Sequence, residues 1–183
     1  MAEREGLVAA ITANPKDKLL RQVFADWLEE RDENELAASL RADGWDGSGM
    51  EGLIGKTILG LSVSDDQSLL AFTLANGPFV LRAEGDCCSE SWFYRVRGVV
   101  NLIGATVLLI QESPVDDVDV NDGLGRQEED SAYGVGLVTD RGIASVVYRC
   151  SSNGYYGGWV EKTKEHVATD GFQPITCDWQ HTT

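Results

Sequence analysis

The chain reads as an α+β protein: a small N-terminal helical module followed by a mostly antiparallel β-sheet domain with one packed helix, and with two repeated β units as one reading of its second half. Three observations predict this. Leu19, Leu20, Val23, Phe24, Trp27 and Leu28 recur at i, i+1, i+4 and i+5 and so line one face of a helix. From Leu53 onward the apolar period falls to two, with β-branched residues between turn residues, which is the strand pattern. Between them Asp43 to Gly52 (DGWDGSGMEG) is rich in glycine and acid and reads as a linker. The expected divisions are a helical module over 1–43, a linker over 44–52 and an α+β domain over 53–183.

In order along the chain, Leu7, Val8 and Ile11 mark a short helix closed by Asn14 and Pro15. The central helix follows, with Pro15 suited to its first turn, and Leu36, Ala37 and Leu40 carry the pattern past Asp32 into a third helix. Thr57 to Val63, Leu69 to Leu74 and Phe79 to Ala83 read as strands joined by Asp65-Asp66 and Asn76-Gly77-Pro78. Ser91 to Ile103 reads as the packed helix, with Ser89 or Ser91 as N-cap. Thr106 to Gln111, Tyr133 to Thr139 and Ile143 to Arg149 return to strand, and Asp140-Arg141-Gly142 forms a tight hairpin turn. Leu53-Ile54-Gly55-Lys56-Thr57-Ile58-Leu59 is echoed by Leu102-Ile103-Gly104-Ala105-Thr106-Val107-Leu108, and each copy is followed by a hairpin and then by a Cys-Ser pair with aromatics. A duplication would place two signature stretches, Asp86 to Phe93 and Ser151 to Trp159, where they could build one site.

The balance of 15 basic against 30 acidic side chains argues against binding a phosphate backbone or an anionic membrane, because both need clustered Lys and Arg. Residues 112–130 hold Glu112, Asp116, Asp117, Asp119, Asp122, Glu128, Glu129 and Asp130 against Arg126 alone, which reads as a solvated, disordered acidic loop. Asp117, Asp119, Asn121 and Glu128 fit positions of a calcium-binding loop, but Asp122 stands where such a loop needs glycine. The four cysteines, the lack of an apolar leader after Met1 and the lack of a long apolar run predict a cytoplasmic protein with reduced thiols. Cys87 and Cys88 would point to opposite faces of an extended chain, which makes them poor disulfide partners.

Two stretches carry resemblances. The segment around FADWLEER, Phe24 to Arg31, resembles the repeat-companion domain, a helical module at the N-terminus of many bacterial proteins, with Asp32 where the usual glycine follows EER. That resemblance implies an adaptor or docking piece. Residues from about 53 to 159, with DCCSESWF and SNGYYGG, resemble a domain of unknown function that recurs in bacterial and phage proteins.

No complete catalytic constellation is present. Cys87 and Cys88 would need a positioned base, yet the only histidines are His166 and His181. Zinc ligation by Cys87, Cys88, Cys150 and Cys177 or His166 lacks a CxxC spacing. No phosphate-binding loop, nucleophile elbow or dinucleotide fingerprint occurs. The expected function is a non-enzymatic protein-interaction or regulatory protein without cofactor or metal, its partner another protein met by the helical module or the acidic surface. The residues for that contact are Trp27, Glu29, Glu30, Arg31, Asp116, Asp117 and Asp119. One alternative is a binder of a nucleotide or metabolite using Asp86, Cys88, Ser89, Glu90, Trp92, Asn153, Tyr155 and Tyr156. The other is an acidic mimic of nucleic acid that inhibits a basic protein.

Overall fold

A computed structural model describes residues 2–45 and 49–182. Three helices come first: α1 (Ala2–Ala13), α2 (Lys18–Glu29) and α3 (Asn34–Arg41). Asp17 caps α2 by accepting from the Leu19 N–H at 2.9 Å, so the helix begins three residues after Pro15, which lies outside its first turn. Asp32 adopts φ 62°, the left-handed conformation that glycine favours. Phe24, Ala25, Leu28, Leu36, Ala37 and Leu40 are buried together with Ile11.

A single 3-10 turn (Glu51–Leu53) leads into β1 (Gly60–Val63), β2 (Leu69–Leu74), β3 (Gly77–Gly85) and β4 (Ser89–Arg97). A short helix, α4 (Val99–Leu102), then precedes β5 (Val107–Glu112), β6 (Glu129–Thr139), β7 (Ile143–Ser152) and β8 (Gly158–Lys162). Two short strands close the chain, β9 (Gln173–Pro174) and β10 (Trp179–Gln180). The strands form two antiparallel sheets of five, ordered β8-β3-β2-β1-β9 and β10-β4-β7-β6-β5. Their inner faces share one core, in which Leu61, Leu70, Phe72 and Leu81 from the first sheet meet Phe93, Val96, Val135, Val146 and Tyr148 from the second.

The expected helix over 91–103 is a correction: residues 89–97 form β4, paired with β7, and helix is confined to Val99–Leu102. Neither Ser89 nor Ser91 is a helix cap. Gly98 (φ 69°) opens α4, and Asp178 accepts from the Val99 N–H at 3.0 Å.

The internal echo is visible as a local twofold. Gly55 and Gly104 have φ 77° and 78°, and the Gly55 N–H donates to the Val107 carbonyl (2.8 Å) as the Gly104 N–H donates to that of Ile58 (2.7 Å). Ile58 donates to Ala105 and Val107 to Lys56, each at 3.0 Å, and the Thr57 and Thr106 hydroxyls meet at 3.1 Å on the axis. Strand order repeats too: β1-β2-β3 matches β5-β6-β7, but each unit's fourth strand crosses to the other sheet, β4 beside β7 and β8 beside β3.

The outer face of the second sheet is covered twice. Leu108, Leu109 and Val138 pack against the helical module, and the segment before β6 lays Val115, Val118 and Leu124 over Trp92, Tyr94 and Val147. The ends of the segment read as a linker are also engaged: the Trp45 N–H donates to the Ile110 carbonyl at 2.9 Å, and Met50 and Leu53 are core residues. The centre of that linker, residues 46–48, lies outside the described residues. No helix among the described residues is long and apolar enough to cross a membrane.

Candidate functional site

Because both fourth strands change sheets, the connectors that lead into them, 86–88 and 153–157, cross. The Asp86 N–H donates to the Gly157 carbonyl at 3.3 Å, and the Ser89 hydroxyl lies 3.1 Å from the same oxygen. The Ser89 N–H donates back to the Asp86 carbonyl at 2.9 Å, which closes a turn with Cys87 and Cys88 at its two central positions. The crossing leaves no room for a side chain at Gly158, where a Cβ would stand 2.8 Å from Cys150 Cβ.

The geometry revises one expectation about this turn. Cys87 and Cys88 are not extended, and their sulfurs lie 3.6 Å apart on the surface. The Cys88 thiol is pushed up, first by its hydrogen bond with Cys87 and then by the neighbour's charge. Tyr156 stands close enough that charge on Cys87, then on Cys88, raises its hydroxyl above the ordinary value.

The crossing thus brings Asp86, Cys88, Ser89, Asn153, Tyr155 and Tyr156 onto two touching connectors, while two other residues of that set lie elsewhere. Glu90 makes an ion pair with Arg126 at 3.1 Å. Trp92 is buried, with the Arg126 and Arg149 guanidiniums 4.7 and 5.4 Å from its ring centre. Trp159, absent from the sequence-based set, is its counterpart: Trp92 faces Arg149 across the ladder as Trp159 faces Glu84. The shared register is the signal that would have found it. Trp159 remains 41% exposed because the short β1–β2 turn cannot cover the first sheet as 113–128 covers the second. The Cys-Ser pairs are not repeat equivalents, since Cys88-Ser89 leads into a fourth strand and Cys150-Ser151 ends a third, although Ser89 and Ser152 are cross-strand partners at one end of the sheet.

The acidic segment is not the disordered loop expected. Arg149, fully buried, binds Asp122 at 2.8 Å and also pairs with Asp130, while Arg95 binds Asp117 at 2.9 Å and Arg97 pairs with it. Burial lowers the Arg149 pKa, but the hydrogen bonds it donates to Asp122 and Asp130 outweigh that and leave it raised. Burial likewise pushes Asp122 up, yet the bonds from Arg149 and the Leu124 N–H hold it below the ordinary carboxylate value. Asp117 is held low by Arg95, so one carboxylate proposed both for calcium and for a partner already serves arginines, while Asp116 and Asp119 are exposed. Among the described residues no group of three or more His, Cys, Asp or Glu could hold a metal ion.

In the helical module, Arg31 stacks on Trp27 at 3.8 Å, Glu30 lies within 3.5 Å of Arg31, and Arg41 pairs with Asp26 at 2.6 Å and with Glu29. The large apolar side chains that α2 leaves exposed are Leu19 and Val23, one turn apart. A groove of about 870 Å³ runs between α1 and the twofold, lined by Arg4, Val8, Thr12, Thr57, Thr106 and Arg141 among others.

The elements around the axis and the crossing, residues 51–162, match a family model described as Domain of unknown function (DUF7448). The chain belongs to that family. It is also similar to the "Uncharacterized protein L278" of Acanthamoeba polyphaga mimivirus, 35% identical over 92 residues. The match covers 45% of this chain and 65% of that protein, just under two thirds of its length. The relative is viral, not bacterial. No solved structure matches the chain.

Proposed function

We propose that this is a non-enzymatic protein-interaction or regulatory protein, with another protein as its partner. The observation that carries this reading is the aromatic surface of the second connector, where Tyr155 is 90% exposed and Tyr156 and Trp159 stand beside it. Large aromatics with polar tips are the side chains on which protein interfaces concentrate their binding energy. Here Tyr155 and Tyr156 stand on a connector braced by hydrogen bonds from the first, and Trp159 on the strand that follows it, so little conformational freedom is lost on binding. Exposed Leu19 and Val23 give the helical module an apolar strip, which agrees with the docking role that its resemblance to the repeat-companion domain implies.

The test is affinity capture from a lysate with the wild-type chain, Tyr155→Ala/Trp159→Ala and Leu19→Ser/Val23→Ser. A partner retained by wild type and lost with one pair supports the reading and identifies the surface. Equal retention by all three sinks it. An acidic mimic of nucleic acid would instead show capture that both pairs of variants keep and that added salt abolishes. The groove beside α1 favours a second reading, a small-ligand binder, and a thermal-shift screen with nucleotides and metabolites would separate the two.

A further inference from the structure

We propose that Cys87 and Cys88 form a vicinal dithiol site that closes to a disulfide within its own turn by exchange with a small disulfide such as oxidised glutathione. In an extended strand two adjacent cysteines diverge. Here the turn closed by the Ser89 N–H and the Asp86 carbonyl holds their sulfurs 3.6 Å apart, both exposed to a dissolved oxidant. Of the other cysteines, Cys150 is buried beneath Gly158, and Cys177 lies on the C-terminal stretch between β9 and β10.

The exchange balances in two steps. The Cys87 thiolate attacks one sulfur of the small disulfide, which forms a mixed disulfide and expels one glutathione thiolate. Cys88 then loses its proton and attacks the Cys87 sulfur, which forms the Cys87–Cys88 bond and expels the second thiolate. The protein gives up two electrons and two protons, and one disulfide becomes two thiols. Adjacent Cα atoms are only about 3.8 Å apart, below the span of roughly 4.4–6.8 Å usual for disulfides. The closed ring is therefore strained and readily reduced, the behaviour of a reversible disulfide rather than a structural one. Since the charge of either cysteine reaches Tyr156, closure replaces two ionisable groups near an exposed aromatic with one neutral bond.

The experiment uses the full chain in a Cys177→Ser background, incubated with oxidised glutathione, alkylated and mapped by mass spectrometry. The expected product is an 86–90 peptide that has lost two hydrogens and carries neither glutathione nor alkyl group, while Cys87→Ser and Cys88→Ser each retain one glutathione. Phenylarsine oxide should block both alkylations in the parent chain and release its oxygen as water, but block neither single variant durably. A parent chain that keeps glutathione on one cysteine, or stays fully alkylated under conditions that modify both single variants, overturns the proposal.

Discussion

Replacing Arg149 with leucine should collapse the support between the second sheet and the acidic segment above it. The guanidinium is fully buried, binds Asp122 through both carboxylate oxygens at 2.8 and 2.9 Å, pairs with Asp130, and donates to the Val120 carbonyl at 3.1 Å. Its Cζ also lies 4.8 Å from the Tyr94 ring centre and 5.4 Å from that of Trp92. Leucine fills part of the volume but strands Asp130, whose side chain is 7% exposed, as an uncompensated charge. Breaking a buried pair from one side costs about 3–5 kcal/mol, and the lost contacts with the rings overlap with that figure rather than add to it in full. A chain of this size has about 5–15 kcal/mol of stability, so the variant should lose a large share and melt roughly 10 °C lower. Urea unfolding followed by tryptophan fluorescence is the assay, because Trp92 lies directly against the substituted side chain. Adding Asp130→Asn should recover part of the loss, since it removes the stranded charge. A loss below about 1 kcal/mol with unchanged fluorescence would refute the assignment of Arg149 as the anchor of this segment.

Gly158→Ala should cost about 1–3 kcal/mol, because its methyl group is forced against Cys150 at the crossing; chemical denaturation measures it, and a neutral result would mean that the connectors do not cross so closely. Asp117 and Asp122 titrate below their unfolded values, so their contribution is present above roughly pH 4 and lost as pH falls through the lower folded values. Acid should therefore make residues 113–128 sensitive to an acid-active protease before the sheets unfold. Burial pushes the Tyr148 hydroxyl up to about 12, so its stabilising contribution is intact below its unfolded value of about 10 and lost as pH rises toward the folded one. Tyr148→Phe should flatten that alkaline decline in a stability curve while leaving neutral-pH stability within about 1 kcal/mol.

Sequence alone was enough for whatever depends on neighbours along the chain. Apolar spacing marked the three N-terminal helices, alternation marked the strands from Leu69 to Leu74 and from Ile143 to Arg149, and the repeated LIG segments announced the local twofold. The misreading of 91–103 has a local physical cause. A bulge between Phe93 and Arg95 puts Tyr94 and Arg95 on the outer face together, with Phe93 and Val96 inside, and that spacing imitates a helix. Only the tertiary structure decided that β4 and β8 exchange sheets, because strand exchange depends on pairing between residues such as Trp92 and Arg149 that lie far apart in the chain. It likewise decided that the acidic segment is anchored: a run of carboxylates is solvated unless arginines buried on a distant strand face it, and Arg95 and Arg149 do. The exchange also sets the candidate site, because the connectors touch only where two strands pass each other, and no spacing within either motif records that meeting.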